Sequence, residues 1–130
     1  MTGQEMLKAH VIGFANTLDA VVAGTYDFND DVDEVDAESR SDESTPYDRL
    51  ARYFEDVLDV EFRIDTQLHY KSAFITLACG GPGIYLDTAS GEVRGYWGFS
   101  DVETAYVSPY YKNAIDEYFE EQYNCLRGCY

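Results

Sequence analysis

A chain of 130 residues that is 45% hydrophobic and 15% aromatic is long enough for one compact domain and too apolar to be disordered throughout. Its 25 Asp and Glu against 9 scattered Lys and Arg, a formal −16, exclude a basic nucleic-acid groove. No run approaches the ~18 apolar residues of a membrane span.

Met1 to Phe14 lacks the basic and apolar regions of a secretory signal, and 3 cysteines are too few for a disulfide framework. A reduced, cytoplasmic protein is therefore expected. Residues 4–23 read as an amphipathic helix, with Leu7, Val11, Phe14, Leu18 and Val21 at spacings of three and four. Gly24 supplies a stop. Residues 27–44 hold nine acids opposed only by Arg40, a balance of −8 that is half the total; they read as a solvated, mobile loop. Thr45 and Pro46 then form a cap-plus-proline helix start, with Asp48 in the first turn. Leu50, Tyr53, Phe54, Val57 and Leu58 are the apolar face expected of that helix.

From here the period becomes two. Val60, Phe62 and Ile64 alternate with Glu61, Arg63 and Asp65, as in a half-buried strand. Tyr70 to Cys79 reads as a more buried strand, broken by Gly80-Gly81-Pro82-Gly83. Ile84 to Asp87, a turn at Ala89-Ser90-Gly91, and Val93 to Phe99 read as a hairpin. A strand from Val102 to Val107 follows, and Ser108-Pro109 repeats the cap-plus-proline device. In the last helix Tyr111, Ala114, Ile115, Tyr118 and Phe119 face inward, while Asp116, Glu117, Glu120 and Glu121 fall largely outward. Strands grouped together rather than alternating with helices indicate an α+β fold. It comprises an antiparallel sheet of four or five strands, two N-terminal helices and one C-terminal helix, in a single domain over 1–130. With helices on one sheet face, Phe74, Tyr85, Tyr96 and Tyr106 would lie on the other, as a contact surface.

Most apparent catalytic or ligand motifs fail on their own chemistry. Asp27, Asn29, Asp31, Asp33 and Glu38 fall at EF-hand spacings, but Val32 occupies the position that needs glycine. The Gly80–Gly83 run has no Gly-Lys-Ser/Thr and no following helix, so it reads as a turn rather than a phosphate cradle. His10 and His69 have no recognisable nucleophile partner, and Cys125 and Cys129 have no histidine nearby for a metal site. The expectation is a protein with no catalytic residues, no metal site and no cofactor.

The charge is the feature that points to partners. Duplex DNA carries one phosphate per ~1.7 Å, so sixteen charges match roughly 27 Å of duplex. A compact chain of this length is about 36 Å across. Proteins that bind nucleic acid would be attracted, and nucleic acid itself repelled. Solubility alone needs only about 2–8 charges.

The segment Leu77-Ala78-Cys79-Gly80-Gly81-Pro82-Gly83-Ile84-Tyr85-Leu86-Asp87-Thr88, followed by Gly95-Tyr96-Trp97 and the acidic run Ile115 to Glu121, resembles a stretch in small acidic proteins of phages and other mobile elements. The resemblance covers roughly residues 70–123 and carries over no catalytic or binding residue. It implies an anti-defence protein of the anti-CRISPR or anti-restriction kind, several of which imitate DNA. Residue pattern and resemblance together give the expected function: a stoichiometric inhibitor of a nucleic-acid-binding complex such as a Cas effector, acting as a DNA mimic. It would make no direct contact with nucleic acid or membrane, and would be a monomer or small homo-oligomer. The residues expected to bind are Asp30, Asp31, Asp33, Glu34 and Asp36 in the loop, and Glu117, Glu120 and Glu121 on the last helix. Tyr85 and Tyr96 on the sheet would add anchors. Helix acids suit mimicry better than loop acids because their spacing is fixed. The alternative is an acidic adaptor or assembly module that binds through the aromatic sheet face.

Overall fold

The computed structural model describes residues 3–26, 45–98 and 101–128. Over these the chain forms helix α1 (Gly3–Ala23), helix α2 (Pro46–Tyr53), strands β1 (Asp59–Ile64), β2 (Tyr70–Ala78), β3 (Gly83–Asp87), β4 (Glu92–Trp97) and β5 (Asp101–Tyr106), and helix α3 (Pro109–Gly128). The fold is α+β. Its five strands form one antiparallel sheet in the order β1-β2-β3-β4-β5, so every strand pairs with its neighbour in sequence. The acidic segment 27–44, with Asp30, Asp31, Asp33, Glu34 and Asp36, lies outside the described residues.

Period-two patterning decides which sheet face is buried. Ala73, Ile75, Ile84, Leu86 and Val93 point to the helix side and are almost fully buried, as alternation requires. Against them α1 contributes Leu7, Val11, Leu18 and Val21, α2 contributes Leu50, and α3 contributes Ile115, Tyr118 and Phe119. Helix α1 lies over β4 and β5, α3 over β2, and α2 contacts both helices. The α1 approach is close enough to require a glycine. A Cβ at Gly95 would lie 2.7 Å from Val11 Cγ1 and 2.8 Å from Leu7 Cδ1.

Each helix start and stop has an identifiable cause. Gly24 takes φ +83° at the end of α1, a conformation glycine adopts at no steric cost. The Arg49 Nε and Nη2 groups donate to the carbonyls of Val21 (2.8 Å) and Val22 (2.7 Å). A cation thus sits at the negative end of the α1 dipole. Thr45 caps α2 by accepting from the Asp48 N–H at 3.1 Å, with Pro46 next. Helix α2 stops at Tyr53, earlier than its apolar spacing predicts. Phe54 is the C-cap, Val57 is half-buried beyond it, and Leu58 is exposed. Glu55 and Asp56 would otherwise place two carboxylates at the carbonyl end of the helix, where the dipole disfavours them.

Strand β4 ends at Trp97 and β5 runs from Asp101, a small shift from the patterned boundaries. Helix α3 begins with the Tyr110 N–H donating to Ser108 Oγ at 3.3 Å. The Ser108 N–H donates in turn to Asp19 Oδ1 at 2.9 Å, tying this start to α1. Its far end is tied as well: Tyr123 Oη and Arg127 Nη1 both donate to the carbonyl of Leu68 in the β1–β2 turn. Cys125 therefore lies on an ordered helix turn and is exposed; Cys129 is outside the described residues.

Candidate functional site

Helix α3 presents two different faces because its apolar residues recur at spacings of three and four. Ile115, Tyr118, Phe119 and Tyr123 are buried, while Glu117, Glu120 and Glu121 are exposed. Four residues of helix span ~6 Å of axis, so the three carboxylates are ~3 Å apart on average along it, against ~3.4 Å for the phosphates of one duplex strand. Among the described residues none of the three forms an ion pair. Ion pairs elsewhere include Arg63–Asp87, Arg94–Glu92 and His69–Asp65.

Asp116 departs from the outward placement expected of it. It is half-buried and accepts the Tyr70 hydroxyl at 2.6 Å. Burial, and then this bond, push the Tyr70 phenol pKa up. The same hydroxyl lies 3.3 Å from Thr88 Oγ1, which accepts the buried Ala73 N–H at 2.8 Å. Asp116 is thus structural. It fixes α3 on β2 and so fixes where the three outer glutamates point.

Beside Glu117 and Glu121 the surface is concave. A groove of about 610 Å³ lies between the start of α2 and the middle of α3, lined by Pro46, Tyr47, Ala114, Glu117, Tyr118 and Glu121. The Tyr47 and Tyr118 rings meet at 5.2 Å between centroids with a 57° tilt. The Tyr47 hydroxyl accepts from Gln122 Nε2 at 2.7 Å, and Tyr118 stacks on Phe54. Burial, then the neighbouring Tyr47, raise the Tyr118 phenol pKa. Pattern reading missed Tyr47. The available signal was an aromatic directly after Pro46, but which face of α2 meets α3 is set by tertiary packing.

The opposite sheet face carries the aromatic residues as expected. Phe74 stacks on Tyr85 (5.4 Å, 14°), and Tyr96 meets Tyr85 edge-on at 5.8 Å. Arg63 covers the Phe74 ring at 5.7 Å. Tyr106 and Val102 continue the face and are exposed. The three described helices lie on the other side, so no described element covers these rings. Tyr85 and Tyr96 therefore lie on the side of the sheet away from Glu117, Glu120 and Glu121. A single flat partner surface cannot engage both groups.

The remaining sequence candidates stay apart from these surfaces. Gly80–Gly83 links β2 to β3 as a turn, with Gly80 at φ +93°. His10 is exposed on α1. His69 Nδ1 lies 3.3 Å from Asp65 Oδ2 in the β1–β2 turn, a surface pair. N–H groups of His69 and Gln67 hold the Asp65 carboxyl pKa below its ordinary value. Among the described residues no cluster of metal-ligating side chains forms, and no helix is long and apolar enough to cross a membrane. Comparison with known protein families, with curated protein sequences and with solved structures gave no match.

Proposed function

We propose that this chain is a stoichiometric inhibitor of a host nucleic-acid-binding defence complex, acting as an acidic mimic of DNA. The observation that carries the reading is the set of Glu117, Glu120 and Glu121, exposed and without ion-pair partners among the described residues, on a helix anchored at both ends. Fixed carboxylates at about the axial spacing of one strand's phosphates can occupy Lys and Arg positions that otherwise hold a nucleic-acid backbone. The whole-chain charge of −16 accelerates encounter with such a surface. The resemblance expected for the Gly80–Thr88 segment, to small phage and mobile-element proteins, would belong to the same class, with a Cas effector or restriction complex as target.

Capture from host lysate at low and high salt, with the wild-type chain and a Glu117→Gln/Glu120→Gln/Glu121→Gln variant, tests this. The expected outcome is capture of a nucleic-acid-binding complex that salt and the variant both abolish, and from which the wild-type chain displaces duplex DNA. Capture indifferent to salt and to the variant would sink the mimic reading.

A second reading rests on the Phe74–Tyr85–Tyr96 ring ladder, which no described element covers. In it the chain is an adaptor that binds a protein through the sheet face. Binding would then survive high salt and be lost on Tyr85→Ala or Tyr96→Ala. Large aromatic truncations at an interface centre typically cost more than about 2 kcal/mol.

A further inference from the structure

We propose that the Tyr47–Tyr118 groove is the arginine-binding subsite of the acidic surface, taking one guanidinium side chain of a basic protein partner. The proposal rests on the inhibitor reading for its partner, but the groove makes its own geometric case. Glu117 and Glu121 are one helical turn apart and line the same groove, so their Cβ atoms stand ~5–6 Å from each other and both carboxylates can reach one cation. A planar guanidinium has five donors in a fixed fork and can bridge two carboxylates carried one turn apart. Tyr47, 40% exposed, offers an aromatic face beside them, against which a guanidinium stacks. Gln122 and Tyr118 hold that ring in place, so little ordering entropy is lost on binding.

Charge and size select the occupant. Among the described residues the groove lining contains two carboxylates and no cation, which disfavours an anion. A lysine ammonium would meet the charge but lacks the planar group that matches ring and carboxylates together. The volume of about 610 Å³ falls within the range of ~300–1,000 Å³ typical of ligand sites. It exceeds what one side chain needs, leaving room for backbone flanking the arginine. The groove thus supplies the aromatic anchor that Tyr85 and Tyr96, on the other side of the sheet, cannot give to this surface.

The test is an NMR titration of the full chain with a short acetylated, amidated Gly/Ser peptide carrying one arginine. Citrulline and lysine versions of the peptide run in parallel. Shifts should centre on Tyr47, Tyr118, Glu117 and Glu121, with the arginine peptide binding more tightly than the lysine one and the citrulline one failing. Tyr47→Leu should weaken binding about three- to thirtyfold, the range expected for a cation–π contact. Tyr47→Phe keeps the ring and should stay within about twofold of wild type on the same basis.

Glu117→Gln/Glu121→Gln should weaken binding far more than Asp59→Asn/Glu61→Gln, an equal charge change at exposed positions of strand β1. Folding of each variant is read from the same spectra. If Tyr47→Leu has no effect and the two charge pairs act alike, the groove is overturned while charge-driven capture stands. If the arginine peptide binds as expected but lysate capture is indifferent to salt, the groove stands and the inhibitor reading falls. Tighter peptide binding in Arg40→Gln would assign the groove to the chain's own arginine and overturn the proposal.

Discussion

Replacing Gly95 with alanine tests how closely α1 is seated on the sheet. The new Cβ would lie 2.7 Å from Val11 Cγ1 and 2.8 Å from Leu7 Cδ1, about 1 Å inside the ordinary ~3.5–4.0 Å carbon contact. Both neighbours are fully buried. Val11 is β-branched and has one strongly preferred helical rotamer, so relief must come from moving α1 or distorting Leu7. Overpacking of this kind costs about 1–3 kcal/mol. Removing glycine from the unfolded chain returns about 0.4–1 kcal/mol. The expected net loss is about 1–1.5 kcal/mol, read as a lower urea midpoint at unchanged m. Val11→Ala removes the closest atom at the expense of a cavity. The Gly95→Ala/Val11→Ala pair should therefore be about 1 kcal/mol more stable than the sum of the single changes. A Gly95→Ala variant as stable as wild type, or a strictly additive pair, would refute the close approach.

Three further outcomes follow from the polar contacts. Thr88→Val leaves the buried Ala73 N–H without its acceptor and should cost about 1–3 kcal/mol in urea unfolding, whereas Thr88→Ser should recover most of it. Arg49→Met removes two charge-assisted bonds to the last carbonyls of α1 and should cost about 2 kcal/mol, with hydrogen exchange accelerated first at residues 20–23. In alkali, stability should hold up to pH 10 and fall above it. Unfolded tyrosines ionise near 10.0, while burial holds Tyr53 protonated to about 12 and also raises Tyr70 and Tyr118. The folded state then binds more protons than the unfolded one, so each added pH unit favours unfolding. Urea midpoints that stay flat from pH 9 to 12 would contradict the burial of these rings.

The sheet was legible because its signals are local. Alternation at Val60/Phe62, Ala73/Ile75, Ile84/Leu86 and Val93 assigns faces directly, and it places Phe74, Tyr85, Tyr96 and Tyr106 together on the outer one. Thr45-Pro46 and Ser108-Pro109 mark helix starts with their own side chains. The misreadings differ in kind, one at a helix end and one made at a distance. Val57 and Leu58 continue a helical spacing past the point where α2 stops. Asp116 turns inward because Tyr70, 46 residues away, donates to it. Of the candidate site, Glu117, Glu120 and Glu121 were readable from helical spacing. The groove beside them was not, because it exists only where α2 and α3 cross.

Helix α1 is made first, yet the surface it buries against is made late. Leu7 and Val11 close on Gly95, which leaves the ribosome 84 residues after Val11. At ~5–20 residues per second that interval is roughly 4–17 s. The meander, by contrast, joins each strand to the one just synthesised, so it can zip from local contacts as it emerges. Throughout that time the apolar stripe of α1 must stay soluble without its partner, and a strongly acidic nascent chain is well suited to prevent neighbouring copies from meeting through it.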